Sequence, residues 1–107
     1  MNDKFLNLLG MARRAGKLSL GHDAAKNAIF HGTSKLIILV SDASARLKDE
    51  FQGRVTSTEN NVSLLFAEYT MLDISIAVGS KAGVISVDDE GFARRLLQLY
   101  REQHKEV

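Results

Sequence analysis

The chain has 107 residues with no Cys, no Pro and no Trp, and its 14 basic and 13 acidic residues leave a net charge of +1. That length fits one domain over residues 1–107 and is enough to bury a core without staples. The missing cysteines exclude disulfides, zinc ribbons, iron–sulfur clusters and a thiol nucleophile, and the small charge speaks against a strongly basic surface.

The first element is marked by Asp3 ahead of Phe5, Leu8, Leu9 and Ala12, the three-and-four spacing of an amphipathic helix. Gly16 suits the position just past its end. Leu18 and Leu20 alternate with Lys17 and Ser19 as a short strand. Gly21 opens a second helix with Ala25, Ala28 and Ile29 on one face; His31 caps its end and Gly32 closes it. Leu36 to Val40 is an apolar, β-branched run that fits a strand covered on both faces. It is also the longest such run, and far too short to span a bilayer. Ser41-Asp42-Ala43-Ser44 ends that strand and supplies an N-cap for a helix carrying Leu47, Phe51 and Val55.

Thr56 to Asn61 reads as a polar turn and Val62 to Phe66 as a strand, with Phe66 in the core. Residues 70–79 carry two signals. Ile74, Ile76 and Val78 alternate like a strand, whereas Thr70 with Asp73 resembles a capping box and Met71, Ile74 and Val78 are helically spaced. Periodicity alone leans to a strand. Val84 to Val87 is the last strand. Asp88-Asp89-Glu90 then starts a helix with Phe92, Leu96, Leu99 and Tyr100, its acids favoured by the helix dipole. Glu106-Val107 should fray. Strands alternating with helices point to a three-layer α/β/α sandwich with a mixed sheet of about four strands.

Charge is unevenly spread. Residues 1–54 hold nine basic and five acidic side chains; residues 55–107 hold five and eight. From Arg13 to Lys26 the cations outnumber the acids four to one. A local anionic footprint is compatible with a small total charge. No nucleophile elbow accompanies His22, Asp23 and Ser41, and no P-loop or GxGxxG occurs, so no catalysis and no cofactor are expected. The Asp88-Asp89-Glu90 run has too few oxygen donors for a metal cage. Phe30, Phe66 and Tyr69 are candidates for stacking on bases. The opening Met1-Asn2-Asp3-Lys4 lacks a basic n-region, so a cytoplasmic location without membrane association is expected.

Three strings carry a resemblance. They are Phe5-Leu6-Asn7-Leu8-Leu9-Gly10-Met11-Ala12-Arg13-Arg14-Ala15-Gly16-Lys17-Leu18 with Gly21-His22-Asp23, then Lys35 to Leu39 leading into Ser41-Asp42-Ala43-Ser44, and Asp88 to Ala93. In these the chain resembles, over nearly its whole length, the ribosomal L-seven-Ae family that binds kink-turn RNA, and especially its small bacterial YlxQ-like branch. The resemblance implies a mixed four-stranded sheet between helix layers, and a helix over 70–77, which is adopted here over the periodicity. It implies non-catalytic binding of structured RNA, in a ribosomal or translational setting with contacts to ribosomal proteins. The turn from the first strand into the second helix would enter the RNA groove, bringing Gly21, His22, Asp23, Lys26 and Asn27. Arg13, Arg14 and Lys17 would neutralise phosphates, and Ser41, Asp42, Val78 and Lys81 would complete the surface. Strong binders of the family carry Asn, Glu and then a Lys three residues later; Asp23, Ala24 and Asn27 stand there in this chain. Lys26 lies one position early, about 100° around the helix. Asp73 replaces a glycine of the family. These departures keep open an alternative, a protein-interaction module on the same fold with weakened RNA recognition.

Overall fold

A computed structural model of the protein describes residues 3–104. Five helices alternate with four strands: α1 (Lys4–Arg14), β1 (Leu18–Leu20), α2 (His22–Phe30), β2 (Leu36–Leu39), α3 (Ala45–Ser57), β3 (Ser63–Phe66), α4 (Met71–Val78), β4 (Val84–Val87) and α5 (Glu90–Gln103). The strands form one sheet in the order β1-β4-β2-β3. β2 and β3 run parallel, joined through α3, and β4 lies antiparallel to both β1 and β2.

Period-two alternation sorts the central strands onto two cores. Leu36, Ile38, Val40, Ile85 and Val87 face the layer built by α1, α4 and α5, where Phe5, Leu9, Ile74 and Leu96 are buried. Ile37, Leu39 and Val84 face α2 and α3, meeting Ala25, Ile29 and Phe51. The architecture is therefore the expected α/β/α sandwich with a mixed four-stranded sheet. Fully buried Phe5 anchors the larger core; truncating such a side chain costs about 3–5 kcal/mol. It stacks on Tyr69 with ring centroids 5.3 Å apart and meets Tyr100 edge-on. The Tyr69 hydroxyl donates to Asp3, which also caps α1 by accepting from the Leu6 N–H. Tyr69 is thus a packing residue, with its ring committed to Phe5.

Residues 71–78 form a helix, as the resemblance implied and against the alternation. The capping box is complete: Thr70 accepts from the Asp73 N–H, and Asp73 accepts from the Thr70 N–H. Ile76 is 74% exposed, so the alternating residues do not share a buried sheet face. Two other expectations need correction. α3 continues through Thr56 and Ser57, where the Thr56 hydroxyl bonds back to the Gln52 carbonyl and satisfies itself within the helix. Phe66 is 45% exposed because β3 is an edge strand. The expectation for Glu106-Val107 lies outside the described residues.

Candidate nucleic-acid interface

Three loops meet at one end of the sheet. The Gly21 N–H, just past β1, donates to the Val84 carbonyl at 2.9 Å. The Val40 N–H, just past β2, donates to the Gly83 carbonyl at 3.1 Å, and the Ser41 N–H donates to the Tyr69 carbonyl at 2.8 Å. These bonds bring the turn into α2, the Ser41-Asp42 turn and the loop between α4 and β4 to a common edge. The antiparallel register of β4 is the cause, since its first residues face the last residues of both β1 and β2.

Gly21 has φ 92 and ψ 173, a region open essentially to glycine. It leaves α2 without a side-chain cap, whereas Asp3, Ser44, Thr70 and Asp89 each cap their own helices. The first-turn N–H groups of α2 are donors with no side-chain acceptor among the described residues, and they carry the positive end of the helix dipole. Such a terminus accepts an anion or a base-edge oxygen.

His22, the first residue of α2, contacts two carboxylates. Its Nδ1 is 2.8 Å from Asp23 Oδ1 and its Nε2 is 2.7 Å from Glu50 Oε2 on α3. Only the imidazolium donates from both nitrogens at once. The bond to Asp23, then that to Glu50, raises the His22 pKa. The same bond lowers that of Asp23, and Arg54 followed by His22 lowers that of Glu50. Because the two carboxylates sit on different ring nitrogens, they do not converge on one ion. No group of His, Asp and Glu side chains among the described residues is arranged to hold a metal.

The expected contact residues divide by position. Gly21, His22, Asp23, Lys26 and Asn27 lie on the turn and the exposed side of α2, and Lys81 is exposed on the neighbouring loop. Val78 is buried in the larger core at the end of α4, so its side chain is not on the surface. Asp42 accepts from the Met71 N–H at 2.8 Å, tying the turn to the start of α4. The Ser41 carbonyl accepts from Lys48 Nζ at 3.0 Å. Arg13 and Arg14 are exposed at the end of α1, with Arg14 over a groove shared with Asp73, Ile76 and Ala77 of α4. Lys17 belongs to the opposite end of the sheet: its carbonyl accepts from the Asp88 N–H beyond β4. Four steps of extended chain, about 13 Å, separate it from Gly21. Asp88 also accepts from Ser19 and Ser86, and Asp89 caps α5, so both have structural partners.

Lys48, Glu50 and Arg54 were not singled out from the sequence. Glu50 and Arg54 have the i,i+4 spacing of a helix ion pair, realised at 2.8 Å. That spacing is visible in the sequence; the reach of Glu50 to His22, 28 positions away, is not.

No family model matches the chain. RNA-binding protein YlxQ of Enterococcus faecium is 30% identical over 96 residues, covering 90% of each chain. RNA-binding protein YlxQ of Bacillus subtilis is 31% identical over 97 residues, covering 86% of this chain and 90% of its own. A Bacillus halodurans protein of unknown function superposes with a TM-score of 0.81 at 32% identity, over 92% of this chain and 98% of its own. The Giardia lamblia 15.5kD RNA binding protein shares the fold, with a TM-score of 0.73 at 15% identity, over 95% and 89% of the two chains. No helix among the described residues is long and apolar enough to cross a membrane.

Proposed function

The chain belongs to the YlxQ-like branch of the L-seven-Ae family, and from that premise we propose that it binds structured, kinked RNA without catalysing a reaction on it. The observation that carries this reading is the uncapped start of α2 at Gly21, flanked at one sheet end by the Ser41-Asp42 turn and the Lys81 loop. A kinked duplex offers phosphates and exposed purine edges in a widened groove, and a rigid turn rich in N–H donors is suited to them. Asp23 keeps a second carboxylate oxygen for a guanine N–H edge while His22 holds the first. Lys26 and Lys81 supply cations, with Arg13 and Arg14 further out. Our reading puts the target among ribosomal or translation-associated RNAs in the cytoplasm, with ribosomal proteins as neighbours.

The test is a binding titration with a kink-turn RNA and with a copy whose G·A pairs are replaced by Watson–Crick pairs. Tighter binding to the intact RNA, weakening as salt rises, is the expected result. Equal binding to both removes specific recognition.

One observation favours a second reading, a protein-interaction module. Met11, Leu72 and Ile76 are exposed apolar residues on α1 and α4, and Met11 and Ile76 flank the groove that Arg14 overlies. A defined protein partner that still co-purifies after nuclease treatment would support it.

A further inference from the structure

A second groove runs between α2 and α3, with a volume of about 500 Å³. One wall is Lys26, Ile29 and Phe30; the other is Glu50, Gly53 and Arg54. Both sets have the spacing that puts side chains on one helix face. Phe30 is 81% exposed at the end of α2, with the His31 ring set edge-on to it at 5.2 Å. Gly53 sits within α3 and faces open space, with no atom within 4 Å of where a Cβ would lie. A glycine inside a helix costs about 1 kcal/mol relative to alanine, and no close packing accounts for this one. Its effect is to keep the groove floor low. Lys26 forms no ion pair among the described residues.

Resting on the RNA-binding reading above, the geometry points to a stacking subsite for single-stranded RNA in this groove, with Phe30 as the platform for one base and Lys26 as the phosphate contact. The groove begins where the candidate turn ends, because Glu50 both lines it and holds His22. From His22 to Phe30 the helix advances about 12 Å, so a strand leaving the kinked duplex reaches Phe30 within a few nucleotides. Protein-docking faces gather several apolar anchors. Here a single exposed aromatic stands beside Lys26, whose charge no ion pair takes up among the described residues, while Arg54 and Glu50 neutralise each other on the α3 wall. An aromatic face next to a cation is the pattern that receives a base and its phosphate.

Fluorescence anisotropy with two kink-turn RNAs tests this, one blunt-ended and one carrying a five-adenosine single-stranded extension on the stem beside α2. The extension should tighten binding roughly 5- to 150-fold, the range for stacking one base. Phe30→Ala and Gly53→Met should each abolish that gain and leave the blunt RNA's affinity unchanged; Phe30→Trp should keep it. Neither loss variant removes core packing, and circular dichroism checks that both are folded. Equal affinity for the two RNAs, or a gain that survives Phe30→Ala, overturns the subsite. If neither kink-turn RNA binds, the RNA function proposed above fails, and the subsite is judged by ultraviolet crosslinking of free pentaadenosine. A crosslink at Phe30 sustains it; none overturns it. Nuclease-resistant capture of a protein that Phe30→Ala abolishes would assign the groove to a protein instead.

Discussion

His22 Nε2 lies 2.7 Å from Glu50 Oε2, and this contact ties the first turn of α2 to the middle of α3. It makes stability depend on pH. The His22 pKa is raised, so its contribution is complete below the ordinary value of 6.5 and is lost as pH rises through the folded value. The Asp23 and Glu50 pKa values are lowered, so their contributions are present above the ordinary 3.8 and 4.5 and are lost as pH falls through the folded values. The cluster therefore stabilises most between pH 4.5 and 6.5. Urea melts of the wild type and His22→Asn should differ most near pH 6, and the gap should shrink by pH 9. Solvent screening keeps the effect small. A gap independent of pH would show that the imidazolium has no part in it.

Gly21→Ala should destabilise the fold by about 1–3 kcal/mol, the cost of holding a side chain in that backbone region. No neighbour lies within 4 Å of the added Cβ, so the cost is conformational and not steric. RNA affinity should fall as well, because relaxing the backbone rotates the first turn. Thermal melts and the binding titration measure the two effects separately.

Gly10 lets α1 lie against α4: a Cβ there would come 2.8 Å from the Ala77 carbonyl oxygen. Backbone cannot yield as a flexible side chain can. Gly10→Ala should cost about 1–3 kcal/mol in urea unfolding, in the range for overpacked sites. A neutral result would mean that the two helices slide apart freely.

Asp88→Ala removes the acceptor of two hydroxyls, Ser19 and Ser86, the latter fully buried and also bonded to Ser34 at 2.8 Å. Ser19 then loses its side-chain acceptor and Ser86 keeps only Ser34, which should cost about 1–3 kcal/mol. Asp88→Asn keeps an acceptor oxygen and should cost less. The order of the two unfolding midpoints checks it.

Cations at the candidate edge should matter more to RNA than those beyond it. Lys26→Ala and Lys81→Ala should each flatten the salt dependence of binding, by about 0.9 in slope for every phosphate the lysine neutralises. Lys17→Ala, at the other end of the sheet, should change it less. Equal slopes for all three would shift the footprint away from α2.

What could be read from the sequence was local. The run Leu36 to Val40 gave the central strand, Asp3, Ser44 and Asp89 gave helix starts, and Thr70 with Asp73 gave a complete capping box. Where two periods competed, at Ile74 to Val78, the cap was the better guide because it reports backbone hydrogen bonds directly. Phe66 reads as core in the sequence yet lies half-exposed, because one strand's residues do not reveal whether it lies at a sheet edge. The candidate site is legible in the sequence only as a turn, through Gly21. Its connections are not: Asp42 meets Met71 29 positions on, and His22 meets Glu50 28 positions on. Such pairs depend on strand order, which no short window contains.

The bare first turn of α2 has a consequence for dynamics. An RNA oxygen bound there would play the part that Asp3 plays for α1, finishing the helix from outside the chain. Binding and local ordering would then be one cooperative event. In the free protein the amide protons of Asp23 and Ala24 should exchange with solvent faster than those deeper in α2, and RNA should slow these two first.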